Sequence, residues 1–491
     1  MLGFFLSAGG LTTRPDHRSY TPIHMLDDNT LLHVFYLYQL VFVETYSDVF
    51  NYPDWDTARW WYKPAQVCQR WRYLILASPV RLGLHLICTY GTPVVETLTH
   101  SPPLPLIIYY LDGTRHASRE DKAAILLALQ HRDRVRRIGL RIPASKLPKF
   151  IKLMDGQFPV LERLFIWPWT EDNTNLVLPT TFQAPHLGQL SLYCTALPVG
   201  SPLLTTTHDL SSLELWNMPL PAYFHPSYIV ARLPFMPQLE NLTLGFKSPI
   251  PTRNIERLPL DSLIGTRVTL PNLRLLFFHG VSAYLEGLLA HINTPFLESI
   301  RIQLFNQLNF TVPQLLQFMN RTENLTFSFA RLFFEREKVI LSMDSLKQGR
   351  FIPFEVTVGC RHVDWQVSAA AQIFNALVPI LSMLESLAFN YEEHDPSSEQ
   401  HNGINRTQWH NLLRPFNSVK ALRIPENLIS HLSHSFQLED GEPPMEPLPE
   451  LKELVYEKEG DPSDAFTAFI NARQIAGHPV ALIHVPPPAP L

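Results

Sequence analysis

A short apolar pattern recurs from about residue 130 onward and constrains the possible fold more than any other feature of the chain. Each copy reads apolar-x-x-apolar-x-apolar. The clear copies are Val135-Ile138-Leu140, Leu161-Leu164-Ile166, Leu187-Leu190-Leu192, Leu210-Leu213-Leu215, Leu239-Leu242-Leu244, Leu273-Leu276-Phe278 and Leu297-Ile300-Ile302. The weaker copies are Leu325-Phe327, Val356-Val358, Leu384-Leu387-Phe389, Val419-Leu422-Ile424 and Leu451-Leu454-Tyr456. The alternating positions that end each copy suit a short strand with one buried face.

Helix-like stretches such as YLEGLLAHI and AAQIFNALVPILSM lie between the predicted strands. A single strand-plus-helix unit cannot bury its apolar face alone, so stacked units would share one core beneath a curved parallel sheet. Successive copies are roughly 23–35 residues apart, within or somewhat above the period of leucine-rich repeats. We therefore expect an α/β repeat over residues 130–491, an irregular leucine-rich-repeat solenoid. Because the spacing varies, an ordinary doubly wound α/β domain stays open as the alternative.

The segment from residue 25 to residue 80 is expected to be a separate helical module. MLDDNTLLHVFYLYQLVF reads as a helix, and Asp27 and Asp28 offer carboxylates that can cap its first turn. A second helical stretch is divided near Pro64, since the residue before a proline avoids the α region. After Pro64, apolar residues recur on one helix face. Periodicity alone favours a small helical cap over the rest of the chain.

Particular residues make this module resemble an F-box. Leu26-Asp27-Asp28-Asn29 is followed by Leu31, Leu32, Val34 and Phe35, and then by Val67-Cys68-Gln69-Arg70-Trp71. An F-box usually opens with L-P-x-E before an apolar helix and later carries V-C-x-R-W. This chain departs from that pattern at Asp27 and Asn29 and in an insertion spanning Glu44 to Asp56. The residues from Arg81 to Pro93 and the closing FINARQIAGHPVAL are similar to those of a large fungal group of F-box proteins with irregular repeats.

The resemblance implies a function in ubiquitin ligation. It implies that the F-box binds a Skp-type adaptor and a cullin, while the repeats hold a target protein, as in an SCF-type ligase. The residues expected to pack within the F-box or against the adaptor are Leu26, Leu31, Leu32, Phe35, Val67, Trp71 and Leu74. A scaffold of leucine-rich repeats outside any ligase is the alternative. The expected division is a flexible N-terminus (1–24), the F-box-like module (25–80), a connecting segment (81–129) and the repeats (130–491).

Large side chains near strand ends are the candidates for target binding. Trp167 and Trp169 follow one predicted strand, Trp216 follows another, and His279 follows Phe278. Loops on one rim of a stacked solenoid often bind partners, and Trp is a frequent binding anchor. Packing between repeats is the competing explanation for each tryptophan. The basic run RDRVRR (132–137) favours a solvated corner, with an anion or phosphodegron site as its alternative.

The sequence offers little chemistry for an enzyme or a metal site. It has no P-loop, no dinucleotide-binding glycine motif and no G-x-S-x-G elbow. We therefore expect no catalytic activity, no metal and no cofactor. A net charge of −5 without a long basic run argues against nucleic acid as a partner. No apolar run reaches the roughly 18 residues of a membrane span, so no membrane contact is expected. The 4 scattered cysteines are typical of reduced thiols in an intracellular protein, in cytoplasm or nucleus.

Overall fold

The computed structural model describes residues 22–45, 60–100, 102–111, 119–169, 176–219, 223–248, 267–307, 310, 312–322, 324–325, 327–344, 352–392, 406–425, 428, 448–457, 464–475 and 477–484. The chain divides into two compact units. The first comprises Met1–Ile87 with Val95–Ile107, and the second comprises Cys88–Val94 with Ile108–Leu491. Each unit is described separately below.

The elements alternate between helix and strand over most of the described chain. The α-helices are α1 Asp28–Thr45, α2 Tyr62–Ala65, α3 Gln69–Ala77, α4 Val94–His100, α5 Arg119–Gln130, α6 Leu147–Leu153, α7 Leu203–Thr206, α8 Pro226–Val230, α9 Ser282–Leu289, α10 Pro313–Arg321, α11 Val363–Ala376, α12 Val378–Leu381, α13 Arg406–Leu413 and α14 Asp464–Ile475. Short 3-10 turns lie at Pro22–Met25, Ala144–Lys146 and Leu233–Phe235.

The strands are β1 Leu86–Cys88, β2 Leu106–Leu111, β3 Val135–Arg141, β4 Arg163–Ile166, β5 Leu176–Val177, β6 Gln189–Tyr193, β7 Thr195–Ala196, β8 Ser212–Met218, β9 Asn241–Phe246, β10 Val268–Thr269, β11 Leu275–Gly280, β12 Ile292–Asn293, β13 Ser299–Leu304, β14 Phe329–Glu335, β15 Lys338–Asp344, β16 Phe354–Gly359, β17 Ser386–Tyr391, β18 Ala421–Pro425, β19 Glu453–Glu457 and β20 Ala481–His484.

A large, mostly parallel sheet organises the second unit. From β3 onward its strand order is β3-β4-β6-β8-β9-β11-β13-β16-β15-β14-β17-β18-β19-β20. Strands that follow one another in the chain are mostly neighbours in the sheet. Apart from a local reversal at β14–β16, the order runs from one edge to the other, whereas a doubly wound sheet starts in the middle and reverses. The doubly wound alternative is therefore set aside, and the architecture agrees with the expected leucine-rich-repeat type.

The repeat pattern accounts for the core of this unit. Leu164, Leu190, Leu213 and Leu242 occupy one register position on β4, β6, β8 and β9, and all are buried. Because side chains alternate across a strand, the intervening residues lie on the opposite side, which we call the outer face. The outer face of β4 therefore bears Arg163 and Phe165.

The weak copy Leu325-Phe327 was a wrong assignment. The strand there begins at Phe329, and β14 turns through two residues into antiparallel β15, with Glu335 paired to Lys338. β16 then runs beside β13, so β14, β15 and β16 form a meander in reverse order within the sheet. This hairpin has no counterpart in the repeat pattern, which is why spacing alone misses it.

The segment expected to be a connection, residues 81–129, instead contains β1, α4, β2 and α5. Strand-helix alternation thus starts before residue 130. The expected flexible N-terminus lies outside the described residues up to residue 21, and Pro22–Met25 forms a 3-10 turn. The insertion from Glu44 to Asp56 lies almost wholly outside the described residues. None of the four cysteines forms a disulfide.

One half-buried carboxylate joins two neighbouring helices of the second unit. Glu286 on α9 accepts hydrogen bonds from the backbone N–H groups of Gln314 (2.6 Å) and Leu315 (3.0 Å) at the start of α10. The residue before α10, Val312, supplies no side-chain cap. Burial raises the pKa of Glu286 to about 7, although both hydrogen bonds act to lower it. Glu286 therefore caps α10 from a different helix.

Candidate functional site

The V-C-x-R-W run has a specific structural task in the helical module. Cys68 is the N-cap of α3, where its sulfur accepts the N–H of Trp71. Arg70 donates to the Oδ1 of Asp28 and to the carbonyl oxygen of Leu26, each at 2.6 Å. It therefore ties α3 to the first turn of α1. Asp27 caps α1 as predicted, because its carboxylate accepts the backbone N–H of Thr30 at 3.0 Å. This hydrogen bond and a second one from the Thr30 hydroxyl lower the pKa of Asp27.

Most of the residues expected to bind an adaptor are buried within the protein. Leu31, Leu32, Phe35 and Leu74 are buried, and the ring of Phe35 meets that of Trp71 edge-on at 5.0 Å. Leu26 and Trp71 are partly buried, whereas Val67 is 61% exposed. The sequence left packing and adaptor binding open for these positions. The buried residues take the packing role.

A second set of apolar residues on α1 is partly exposed. Val34, Leu37, Tyr38 and Val41 recur at i, i+3, i+4 and i+7, and each is between 38% and 63% exposed. We call this set the α1 stripe. Exposed apolar patches of this kind mark sites of protein interaction. The sequence contains the spacing, but it gives no way to separate this stripe from the buried face that carries Leu31 and Phe35.

On the second unit, aromatic side chains form a row across the outer face of the sheet. The rings of Trp167 and Tyr193 stack at 5.0 Å, and Tyr193 is in register with Trp216 on the next strand. Trp216 lies 4.7 Å from the ring of Phe277 and 5.6 Å from that of His279. We call Trp167, Tyr193, Trp216 and His279 the aromatic row. Three of the four side chains expected to bind a target therefore share one surface.

The row lies on the face of the sheet, whereas the sequence placed its members just past the strand ends. Trp216 and His279 are inside β8 and β11, and only Trp167 follows the end of its strand. Trp169 is 49% exposed and lies two residues beyond Trp167, outside the row as defined. Tyr193 was not singled out, although its position after Leu192 in the repeat pattern places it on the outer face.

Two backbone features set the position of Trp216. Its neighbour Asn217 adopts the left-handed conformation (φ 55°), where the register between β8 and β9 shifts. Such bulges re-aim adjacent side chains and occur near functional sites. Gly245 on β9 lies under the indole, and a Cβ there would be 2.6 Å from the ring. The glycine therefore leaves the space that Trp216 occupies.

His279 belongs to the row as a neutral ring. Burial lowers its pKa to about 4, so it carries no charge near pH 7. Its ring centroid is 4.5 Å from that of Phe305, which continues the row beyond β11. At the other end, the Arg141 guanidinium lies 5.2 Å from the Trp167 ring centroid, in cation–π contact. The row thus offers partly exposed aromatic surface with one cation at its edge.

Neither a metal centre nor a membrane span is found in the part of the chain that the structure describes. There, no three His, Cys, Asp or Glu side chains gather as metal ligands would. Likewise, no helix among these residues has both the length and the apolar character to cross a bilayer. Residues 393–405, which include His394 and His401, lie outside the described residues.

Comparisons with known proteins add little to this geometry. No protein-family model matches the chain, and no curated protein matches it. Among solved structures, it is similar to the leucine-rich repeat-containing protein LegL7 from Legionella pneumophila, at 11% sequence identity. That match covers 80% of this chain and 98% of the other, with a TM-score of 0.25. The repeat architecture is seen in the strand order and register of the chain itself.

Proposed function

We propose that the protein is a non-enzymatic substrate receptor of an SCF-type ubiquitin ligase. Its helical module would bind a Skp-type adaptor, and its repeat sheet would bind a target protein. Catalysis would belong to other subunits, and this chain would position the target. The observation that carries the target-binding half is the aromatic row on the outer face of the sheet.

The adaptor half of the proposal is supported by the F-box resemblance together with the α1 stripe. Apolar residues at i, i+3, i+4 and i+7 are the anchors by which a helix enters a groove on a partner. The residues that match the V-C-x-R-W motif hold α3 against the start of α1 and so keep the stripe in place. We therefore move the proposed adaptor contact from Leu31, Leu32 and Phe35 to Val34, Leu37 and Val41.

The target half is supported by the chemistry of the aromatic row. Trp and Tyr combine large apolar area with polar tips and are frequent anchors at interfaces. The rings are held by stacking and by strand register, so little conformational entropy would be lost when a target binds. Because His279 is neutral, the row favours apolar and aromatic groups of a target over an acidic segment.

The adaptor half is tested by pull-down of purified Skp-type adaptor and cullin with the full-length protein. The Leu37→Asp/Val41→Asp variant should lose both partners, since it places charge in the centre of the stripe. His33→Asp, an exposed change on the same helix, is the control and should keep them. Retention of the adaptor by the double variant would place its binding site elsewhere, and failure of the wild type to bind would refute the ligase function.

The target half is tested by affinity capture followed by mass spectrometry. Proteins bound by the wild type should be lost from the Trp167→Ala/Trp216→Ala variant. They should remain with Trp365→Ala, which removes an exposed tryptophan that lies on α11. A protein that binds the row while the chain ignores the adaptor would favour the alternative function, an interaction scaffold outside any ligase.

A further inference from the structure

One carboxylate lies on the outer face of the sheet beside the aromatic row. Glu214 is on β8, two residues before Trp216, and its chain neighbours Leu213 and Leu215 are buried on the core side. Residues two apart on a strand share one face and are about 7 Å apart. Glu214 is half-buried, as is Trp216. A ligand that contacts the indole is therefore within reach of the carboxylate.

Small polar residues surround Glu214 on this face. Ser191 on β6 pairs with Glu214, and Glu214 pairs with Thr243 on β9. The Ser191 hydroxyl donates to Oε2 at 2.6 Å, and the Ser212 hydroxyl donates to Oε1 at 3.4 Å. A carboxylate has about four acceptor positions, so roughly two remain for a ligand. The hydroxyl groups thus orient the carboxylate and leave it able to accept further hydrogen bonds.

The negative charge of Glu214 has no ion-pair partner among the residues that the structure describes. By contrast, Glu162 and Glu298, which precede β4 and β13, each form an ion pair with an arginine, at 2.6 Å and 2.8 Å. Arg163 and Arg301 lie on the same face as Glu214 but two and three strands away, so their Cα atoms are about 10 Å or more from its own. The potential near Glu214 therefore favours a cation from outside the chain, because water screens a half-buried charge less than an exposed one.

The rings next to Glu214 favour the same ligand charge. The faces of aromatic rings carry partial negative charge and attract cations. Trp216 lies close to Glu214 along β8, and Phe277, whose ring is 4.7 Å from the indole, follows Thr243 in the register of the sheet. The row already holds one contact of this kind, since the Arg141 guanidinium lies 5.2 Å from the Trp167 ring centroid. Rings and carboxylate together form a surface suited to a flat cation.

We propose that Glu214 and the aromatic row bind an arginine side chain of the target protein. The guanidinium donates hydrogen bonds to the Glu214 carboxylate, and its flat face stacks on the indole of Trp216. Arginine fits better than lysine, because its planar fork matches a carboxylate and stacks on aromatic rings. This inference rests on the proposed binding of a target by the row, and it names the residue type that the target supplies.

The probe is a library of random peptides displayed on phage and selected on the immobilised full-length protein. Counter-selection on the Trp167→Ala/Trp216→Ala variant removes peptides that bind elsewhere on the chain. The remaining peptides should share an arginine. A fluorescein-labelled copy of the most enriched peptide is then titrated by fluorescence anisotropy. Replacing its arginine by glutamine should weaken binding roughly tenfold, the scale of one lost charge-assisted hydrogen bond.

A charge-neutral variant locates the contact on this chain. Glu214→Gln keeps the size of the side chain and should weaken binding of the labelled peptide roughly tenfold. It should leave binding of the glutamine copy of the peptide nearly unchanged, because the charge pair is already lost there. Glu355→Gln is the matched control, since Glu355 is on the same face and pairs across the sheet with Arg301. This control should bind the peptide as the wild type does.

The possible failures are distinguishable. Enriched peptides that depend on the row but lack arginine would overturn this inference and leave target binding by the row intact. Equal weakening of both peptide copies by Glu214→Gln would show a structural role for Glu214 and overturn the contact. Tighter binding of a lysine copy would assign the site to ammonium groups instead of guanidinium groups. A selection in which no peptide depends on the row would overturn both this inference and the proposed target binding.

Discussion

Gly245 lies under the indole of Trp216, and its replacement by alanine is expected to destabilise the repeat sheet. The added Cβ would be 2.6 Å from the Cε3 atom and 3.0 Å from the Cζ3 atom of the ring. Contacts this short cannot persist, so the ring must tilt away from the strand. Trp216 would then lose its contacts with Phe277 (4.7 Å) and His279 (5.6 Å).

The size of the effect follows from these contacts. An aromatic pair contributes about 0.5–1.5 kcal/mol beyond its area burial, so two lost pairs cost about 1–3 kcal/mol. Alanine also restricts the unfolded chain, which returns about 0.4–1 kcal/mol. The net loss in the free energy of unfolding is therefore about 0.5–2 kcal/mol.

Urea unfolding of Gly245→Ala and Gly359→Ala measures the difference. Gly359 also lies in a strand, but a Cβ there would come no closer than 4.0 Å to its nearest neighbour. Gly359→Ala should therefore be neutral or stabilising by up to about 1 kcal/mol. Equal stability of the two variants would show that the position of the Trp216 ring does not depend on the glycine.

Three further predictions concern the module, a helix joint and the row. Phe35→Ala should lower the free energy of unfolding of the helical module by about 3–5 kcal/mol, as measured by thermal unfolding. Val67→Ala, at an exposed position, should lower it by less than about 0.5 kcal/mol. Equal effects would contradict the packing role of Phe35. Glu286→Ala should lower the free energy of unfolding by about 1–2 kcal/mol, because α10 loses its cap. Glu298→Ala, on the surface, should change it by almost nothing, and the urea midpoints of the two variants measure the difference. His279 has a folded pKa of about 4, below its ordinary 6.5, so it stabilises the fold above pH 6.5 and loses that contribution as the pH falls toward 4. His279→Phe should therefore reduce the loss of stability over this range, and an unchanged slope would contradict a neutral, half-buried His279 ring.

The repeat strands were predictable because each buries alternate residues against one core. Leu164, Leu190 and Leu213 mark β4, β6 and β8 within about two residues, and the pattern requires no knowledge of strand partners. The β14–β15 hairpin was not predictable from the same pattern. Both of its strands alternate, but their two-residue turn, Arg336-Glu337, lacks the Asn-Gly or Gly signal that marks a tight hairpin in a sequence.

The functional surfaces were only partly predictable for a related reason. Trp167, Trp216 and His279 were each predicted as candidate binding residues near strands. That they lie in one row depends on the register between neighbouring strands, which no single repeat reveals. On α1, both faces are apolar, so the sequence could not separate the buried side from the exposed stripe.

Isothermal titration of the purified full-length protein with a purified Skp-type adaptor tests the proposed ligase function most directly. We expect one adaptor to bind each chain, with binding abolished by Leu37→Asp/Val41→Asp and preserved by His33→Asp. Absence of binding by the wild-type protein would contradict the ligase function and leave an interaction scaffold. Equal binding by the double variant and the wild type would contradict the role of the α1 stripe.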